Sequence, residues 1–222
     1  MLSGLIGAFS LWIVAAELVR SSDAYFPANA KEATLFAATQ PPSAKAAHLV
    51  RIRGDLWTAA AVAEVAPLLF TPASDQPSGE IQAKIDRAHA TALHAAKLSP
   101  HDSRVWLILA DLRSRVSPYA PNAPEALKLS YYTGPTEFAL APARLLVSAR
   151  ITADEELQEQ IQSEIQRIIL KRSDLKLAIA AAYKSAIPQT RQIFEAALLE
   201  ADPDFLDSIR GDPSEPSGKE FP

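Results

Sequence analysis

The chain has no cysteine and only 7 glycines among its 222 residues. Without thiols it can form no disulfide, thiolate nucleophile, zinc–thiolate site or iron–sulfur cluster. It carries no glycine-rich loop of the kind that cradles phosphate, and no serine sits in a G-x-S-x-G elbow. A basic excess is missing as well: 22 Lys and Arg face 26 Asp and Glu, for a net charge of −4. No basic run is longer than Lys171-Arg172, so the chain lacks the patch a nucleic-acid binder needs to neutralise phosphates. No segment reads convincingly as a strand.

What is present favours helix. Hydrophobic residues make up 48% and charged residues 22%, ordinary globular usage that excludes wholesale disorder. The length supports one core-bearing domain with terminal appendages. Alanine, the best helix former, is abundant, and 17 prolines punctuate the helical stretches rather than fill them.

Leu2 to Val19 is an eighteen-residue run whose single charge is Glu17, closed by Arg20. About 18 apolar residues are just enough to cross a bilayer core. The run has no polar face, so it reads as a transmembrane anchor in preference to a core helix. A cleavable export signal is the competitor, because Ala28-Asn29-Ala30 has the small-x-small form of a processing site. Against cleavage, no Lys or Arg precedes the run. Arg20 and Lys31 alone would keep the body cytoplasmic, whereas the export-like site pulls it to the periplasm, which is the expectation taken here.

The organisation expected is an anchor at 1–20, a connector with a short helix at 21–42, a helical domain at 43–209 and a disordered tail at 210–222. Within the connector a helix runs from Lys31 to Thr39, and Ser43 is placed to cap the next. The segment DLWTAAAVAEVAPLLF from Asp55 has a small-residue face. Glu80–Leu98 repeats Ile81, Ile85, Ala88, Ala92 and Ala95 at helical spacing, and His101–Val116 does so with Val105, Leu109 and Leu112. Further helices are expected at 125–131, 135–150, 154–171, 173–185 and 189–200. Thr152 and Glu155 have capping-box spacing.

The stretch from Ala88 to Ala110 orders these pieces. Ala88, Ala92 and Ala95 let two helices approach closely, Pro100 marks the turn, and Trp106 with Leu109 and Ala110 fills the groove of the next helix. Lys97-Leu98-Ser99-Pro100 is echoed by Lys128-Leu129-Ser130-Tyr131, and Phe194–Leu198 followed by Ala201-Asp202-Pro203 echoes the helix and its proline turn. This pattern resembles the tetratricopeptide repeat in a degenerate form; Arg113 stands where the family carries an aromatic. The resemblance implies an all-α solenoid of three to four antiparallel helix pairs, each stacking on its neighbours. Ile52–Trp57 and Ala126–Pro135 are also similar to parts of membrane-anchored bacterial repeat proteins, some linked to cell-envelope polysaccharide production. What that implies is a non-catalytic scaffold that binds another protein in a membrane complex.

Chemistry is sparse. His89 and His94 are five apart, off the spacing at which one helix face holds a metal; His48 stands alone, and His101 follows Pro100 in a first turn. No cofactor, metal site or catalytic residue is expected. Glu155, Glu156 and Glu159 read as a solvated helix face. Glu137 is the acid on which a glycan enzyme or accessory subunit would depend. Arg53-Gly54-Asp55 and Arg210-Gly211-Asp212 match an adhesion tripeptide by three letters only. The least ordinary feature is Tyr131-Tyr132 ahead of Gly134-Pro135. Paired tyrosines there can offer a flat amphipathic surface to a peptide or sugar, or simply pack the turn. Tyr131, Tyr132 and Arg144 are the expected partner-binding residues, with Arg150 on the same face. The expected location is the inner (cytoplasmic) membrane, single-pass, with a periplasmic helical domain.

Overall fold

The computed structural model describes residues 43–71, 78–116 and 122–211, with positions 7, 10–12, 14, 15, 25–27, 31–33 and 35 ahead of them. Most of the expected anchor and connector, and the tail from 212 on, lie outside the described residues. Among the described residues no helix is long and apolar enough to cross a membrane. All regular structure there is helical, with no strand.

From residue 43 on, the described residues form ten α-helices in order: α1 Ser43–Leu49, α2 Gly54–Leu69, α3 Gly79–Leu98, α4 Ser103–Val116, α5 Asn122–Thr133, α6 Ala141–Ser148, α7 Glu155–Lys171, α8 Lys176–Ser185, α9 Pro188–Ala201 and α10 Pro203–Arg210. Single 3-10 turns, Phe138–Leu140 and Ser173–Leu175, lead into α6 and α8. Both were expected as parts of longer helices. Each turn instead hands over to a new helix at its C-terminal residue.

Burial follows the apolar pattern. α2 is apolar nearly all round and lies in the core, with Leu56, Val62, Val65 and Leu69 closed off from solvent. Every residue of α6 is buried. By contrast α3 and α7 bury one stripe each: Ile85, Ala88, Ala92 and Ala95 in the first, Leu157, Ile161, Ile165 and Ile168 in the second. In α4 the burial goes beyond the expected stripe, since Leu107, Ile108 and Ala110 are also enclosed.

The substantial contacts all run between helices one or two places apart along the chain. In the first half, sequence neighbours pair: α2 with α3 and α4 with α5. Both pairs are antiparallel, because Gly54 at the start of α2 meets Leu98 and Ser99 at the end of α3, and Ser103 at the start of α4 meets Gly134 past the end of α5. In the second half, alternate helices pair: α6 with α8 and α7 with α9. These run parallel. Thr190 and Gln189 at the start of α9 donate to the carbonyls of Ile151 (2.9 Å) and Ala153 (3.1 Å) ahead of α7, and Gln166 of α7 reaches Glu200 near the end of α9 at 3.0 Å.

Three helix ends share one joint. Ser99, Arg172 and Asp202 close α3, α7 and α9 with φ/ψ of −138/65°, −141/59° and −163/78°. In each, the cap N–H donates to the carbonyl four residues back: Ala95, Ile168 and Leu198. The expected echo at 128–131 is not such a joint. Ser130 is buried inside α5, which continues to Thr133. The capping box at Thr152 is corrected too: Asp154 caps α7, its Oδ1 accepting the Leu157 N–H at 3.0 Å.

Candidate functional site

A depression of about 480 Å³ opens between the end of α5 and α7, lined by Tyr131, Tyr132, Pro135, Glu159, Gln160, Ser163 and Arg167. The two tyrosines divide between inside and outside, as neighbours on a helix must when only one stripe is buried. Tyr131 is 4% exposed and Tyr132 58%. The Tyr132 hydroxyl donates to Glu156 of α7. Arg167 donates to the carbonyl of Pro135, tying the loop to α7.

Beneath the depression lies a closed polar network. The Tyr131 hydroxyl donates to Glu164 Oε2 at 2.7 Å. Arg144 is fully buried, stacks over the Tyr131 ring at 4.8 Å, and pairs with Glu164 at 3.7 Å. Its guanidinium also donates to Ser130 Oγ at 3.1 Å and to the Gly134 carbonyl at 2.9 Å. Burial raises the Glu164 carboxyl above its ordinary value, against the opposing pull of Arg144. Burial, with the Glu164 charge added, lifts the Tyr131 phenol well above its own. Arg144 therefore has no surface to offer a partner. It fixes the end of α5 from below, and of the three expected residues only Tyr132 stands out in solvent.

Two further clusters escaped the sequence reading. Asp111, 1% exposed, receives Arg115 at 2.8 Å and Arg150 at 2.7 Å. The same guanidinia donate to the carbonyls of Leu68, Leu69 and Thr71 at the end of α2, where cations offset the helix dipole. Arg150 is thus committed here, away from the Tyr132 face. At the start of α7, Lys128 is ringed by Glu125, Asp154 and Glu156 at 3.0, 2.9 and 3.1 Å. Its hydrogen bonds, that to Asp154 first, raise its pKa further above the ordinary lysine value. Each cluster holds one pair at helical spacing, Asp111–Arg115 and Glu125–Lys128, but its remaining members come from a distant part of the chain.

The remaining candidates find ordinary surroundings. His48 and His94 flank the Trp57 ring, with centroids 5.0 and 4.3 Å away. Among the described residues no three His, Cys, Asp or Glu side chains are grouped to hold a metal. Glu137 is exposed and accepts the Ser103 hydroxyl at 2.5 Å. It borders a second depression, where Asp102 pairs with Arg104 at 2.7 Å. Arg53 and Asp55 bind one another at 3.0 Å at the start of α2. Comparison with family models, curated proteins and solved structures finds no match to this chain.

Proposed function

We propose that this protein is a non-catalytic, membrane-anchored helical-repeat scaffold whose helical domain binds another protein in a cell-envelope complex. The observation that carries the reading is the groove beside Tyr132: an exposed aromatic on a base held rigid by the Tyr131–Glu164–Arg144 network. An amphipathic ring on a preorganised surface is the usual anchor of a protein interface. Three joints of one backbone form, and contacts confined to helices one or two places apart, support a tetratricopeptide-like solenoid. The weak packing of α7 against its sequence neighbours α6 and α8 is a departure from its regular form. The apolar run Leu2–Val19 supports the anchor, and with it an inner-membrane location with a periplasmic body.

The test is a photo-crosslinking amino acid at position 132, irradiated in intact cells. The expected result is one discrete adduct with a second protein in the membrane fraction. Tyr132→Ala should remove that association while leaving stability within about 0.5 kcal/mol, as for surface substitutions generally. No adduct, together with a clean monomer after detergent extraction, would overturn the proposal.

A further inference from the structure

Phe26 precedes the helical array in sequence but sits inside it in space. It is 6% exposed and belongs to the same apolar core as Leu56, Val105 and Leu140. Its neighbour Tyr25 is 54% exposed. Together they border a depression of about 620 Å³ with Asp102 and Arg104 at the α3–α4 joint, and with Phe138 and Leu140 ahead of α6. An unattached leader would leave both rings in water; here one is withdrawn from it.

We propose that Tyr25-Phe26-Pro27 is a clip that fastens the N-terminal segment to this end of the array, so that the end bearing the α3–α4 joint faces the membrane. The inference rests on the anchor reading of Leu2–Val19. Phe26 lies seven residues beyond Val19, a reach of at most about 25 Å even for a fully extended chain. The clip therefore holds one particular end close to the bilayer. That end gathers the finish of α3 and α5 and the start of α4 and α6. Arg172, past the end of α7, stands 5.9 Å over the Phe138 ring and belongs to the same end. At the rim Asp102 pairs with Arg104 at 2.7 Å and Glu137 accepts the Ser103 hydroxyl at 2.5 Å. Tyr25, a half-exposed amphipathic ring, is of the type enriched at the membrane–water boundary. Cleavage after Ala30 would strip Phe26 from the core, so the clip also implies that the chain keeps its N-terminal segment.

The absence of native cysteine makes single-site labelling direct. Thr136→Cys reports on the clipped end, and Glu155→Cys on the far end of α7, a helix about 25 Å long by helical rise. Each full-length variant is labelled with an environment-sensitive fluorophore and reconstituted into phosphatidylcholine vesicles carrying a headgroup nitroxide quencher. Quenching at 136 should exceed that at 155. In a Phe26→Asp background the vesicles should still float with the protein while the asymmetry disappears. A protein that floats but quenches equally at both positions, or that keeps its asymmetry with Phe26→Asp, overturns the clip and leaves the anchor standing. A protein that does not float, or whose mature N-terminus is Lys31, overturns the anchor and the clip together.

Discussion

Trp57 and Trp106 hold the same place in α2 and α4. Each is the fourth residue of its helix, and each indole N–H donates to the carbonyl six residues earlier: Arg51 at 3.0 Å and Pro100 at 2.7 Å. A tryptophan in this position ties the first turn of a helix to the chain that enters it. Replacing either by phenylalanine keeps most of the ring and removes the bond. Trp57→Phe and Trp106→Phe should each lower the urea-unfolding free energy by about 0.5–1.5 kcal/mol, the net worth of one such hydrogen bond. Equal stability for both variants and the parent would mean that the two bonds hold nothing in place.

Gly54 lets α2 start against the end of α3. A Cβ at this position would fall 2.0 Å from Ser99 Oγ and 3.0 Å from the backbone carbon of Leu98. Two effects then oppose one another in Gly54→Ala. Alanine gains about 1 kcal/mol of helix propensity, whereas overpacking costs about 1–3 kcal/mol. Because one neighbour is backbone and cannot swing away, the cost should prevail and the melting temperature should fall. Adding Ser99→Gly should recover part of the loss. A melting temperature raised by Gly54→Ala alone would show that the joint relaxes freely.

Much of this fold could be read from spacing. The stripe Ile85, Ala88, Ala92 and Ala95 is the buried face of α3, and the turn at Ser99-Pro100 is a real joint. Its counterpart at Arg172 was invisible, because the same backbone form is reached there without proline. Lys128–Tyr131 misled in the opposite sense: letters shared with the 97–100 joint lie within a continuous helix, where packing overrides local resemblance. The site was half legible. Paired tyrosines mark the place, but which of them faces inward depends on where α7 packs. Arg144, polar in sequence, is wholly buried because Glu164, twenty residues on in α7, arrives to meet it.

Asp111 is the common acceptor for two guanidinia, and both also bind carbonyls at the end of α2. Removing it leaves Arg115 and Arg150 without their shared countercharge in a largely buried setting. Asp111→Ala should therefore destabilise the protein by about 3–5 kcal/mol, the range for breaking a buried pair by deleting one partner. Calorimetric unfolding measures this. The double variant Asp111→Ala with Arg150→Met should recover part of the loss, since one stranded charge goes with it. An Asp111→Ala protein with unchanged melting would refute the role given to this carboxylate.

Tyr131 should remain a phenol for as long as the protein is folded. Burial and the Glu164 charge lift its pKa well above 10.0, so the folded state keeps a proton that the unfolded chain releases. Its contribution to stability is then fully present below about pH 10, and is lost as pH rises above the unfolded value. In an alkaline titration, one component of the phenolate absorbance should appear only with loss of the helical circular dichroism. Tyr131→Phe should abolish that component. Phenolate from Tyr131 in a protein of intact helicity would contradict the closed network.

Asp154 works at the other end of the pH range. The Lys128 ammonium and the Leu157 N–H hold its carboxyl below the ordinary 3.8. A depressed acid favours the folded state above its unfolded value, and that contribution disappears as pH falls through the folded value. Asp154→Ala removes the cap of α7 as well as the charge, and should cost about 1 kcal/mol at pH 7, typical of a lost N-cap. The gap between variant and parent should narrow as pH falls through the depressed value, where the parent carboxyl becomes protonated too. Asp154→Asn keeps a capping oxygen without the charge, so it should fall between the two at neutral pH. If Asp154→Asn proves as stable as the parent at every pH, the Lys128 pairing contributes nothing and only the cap matters.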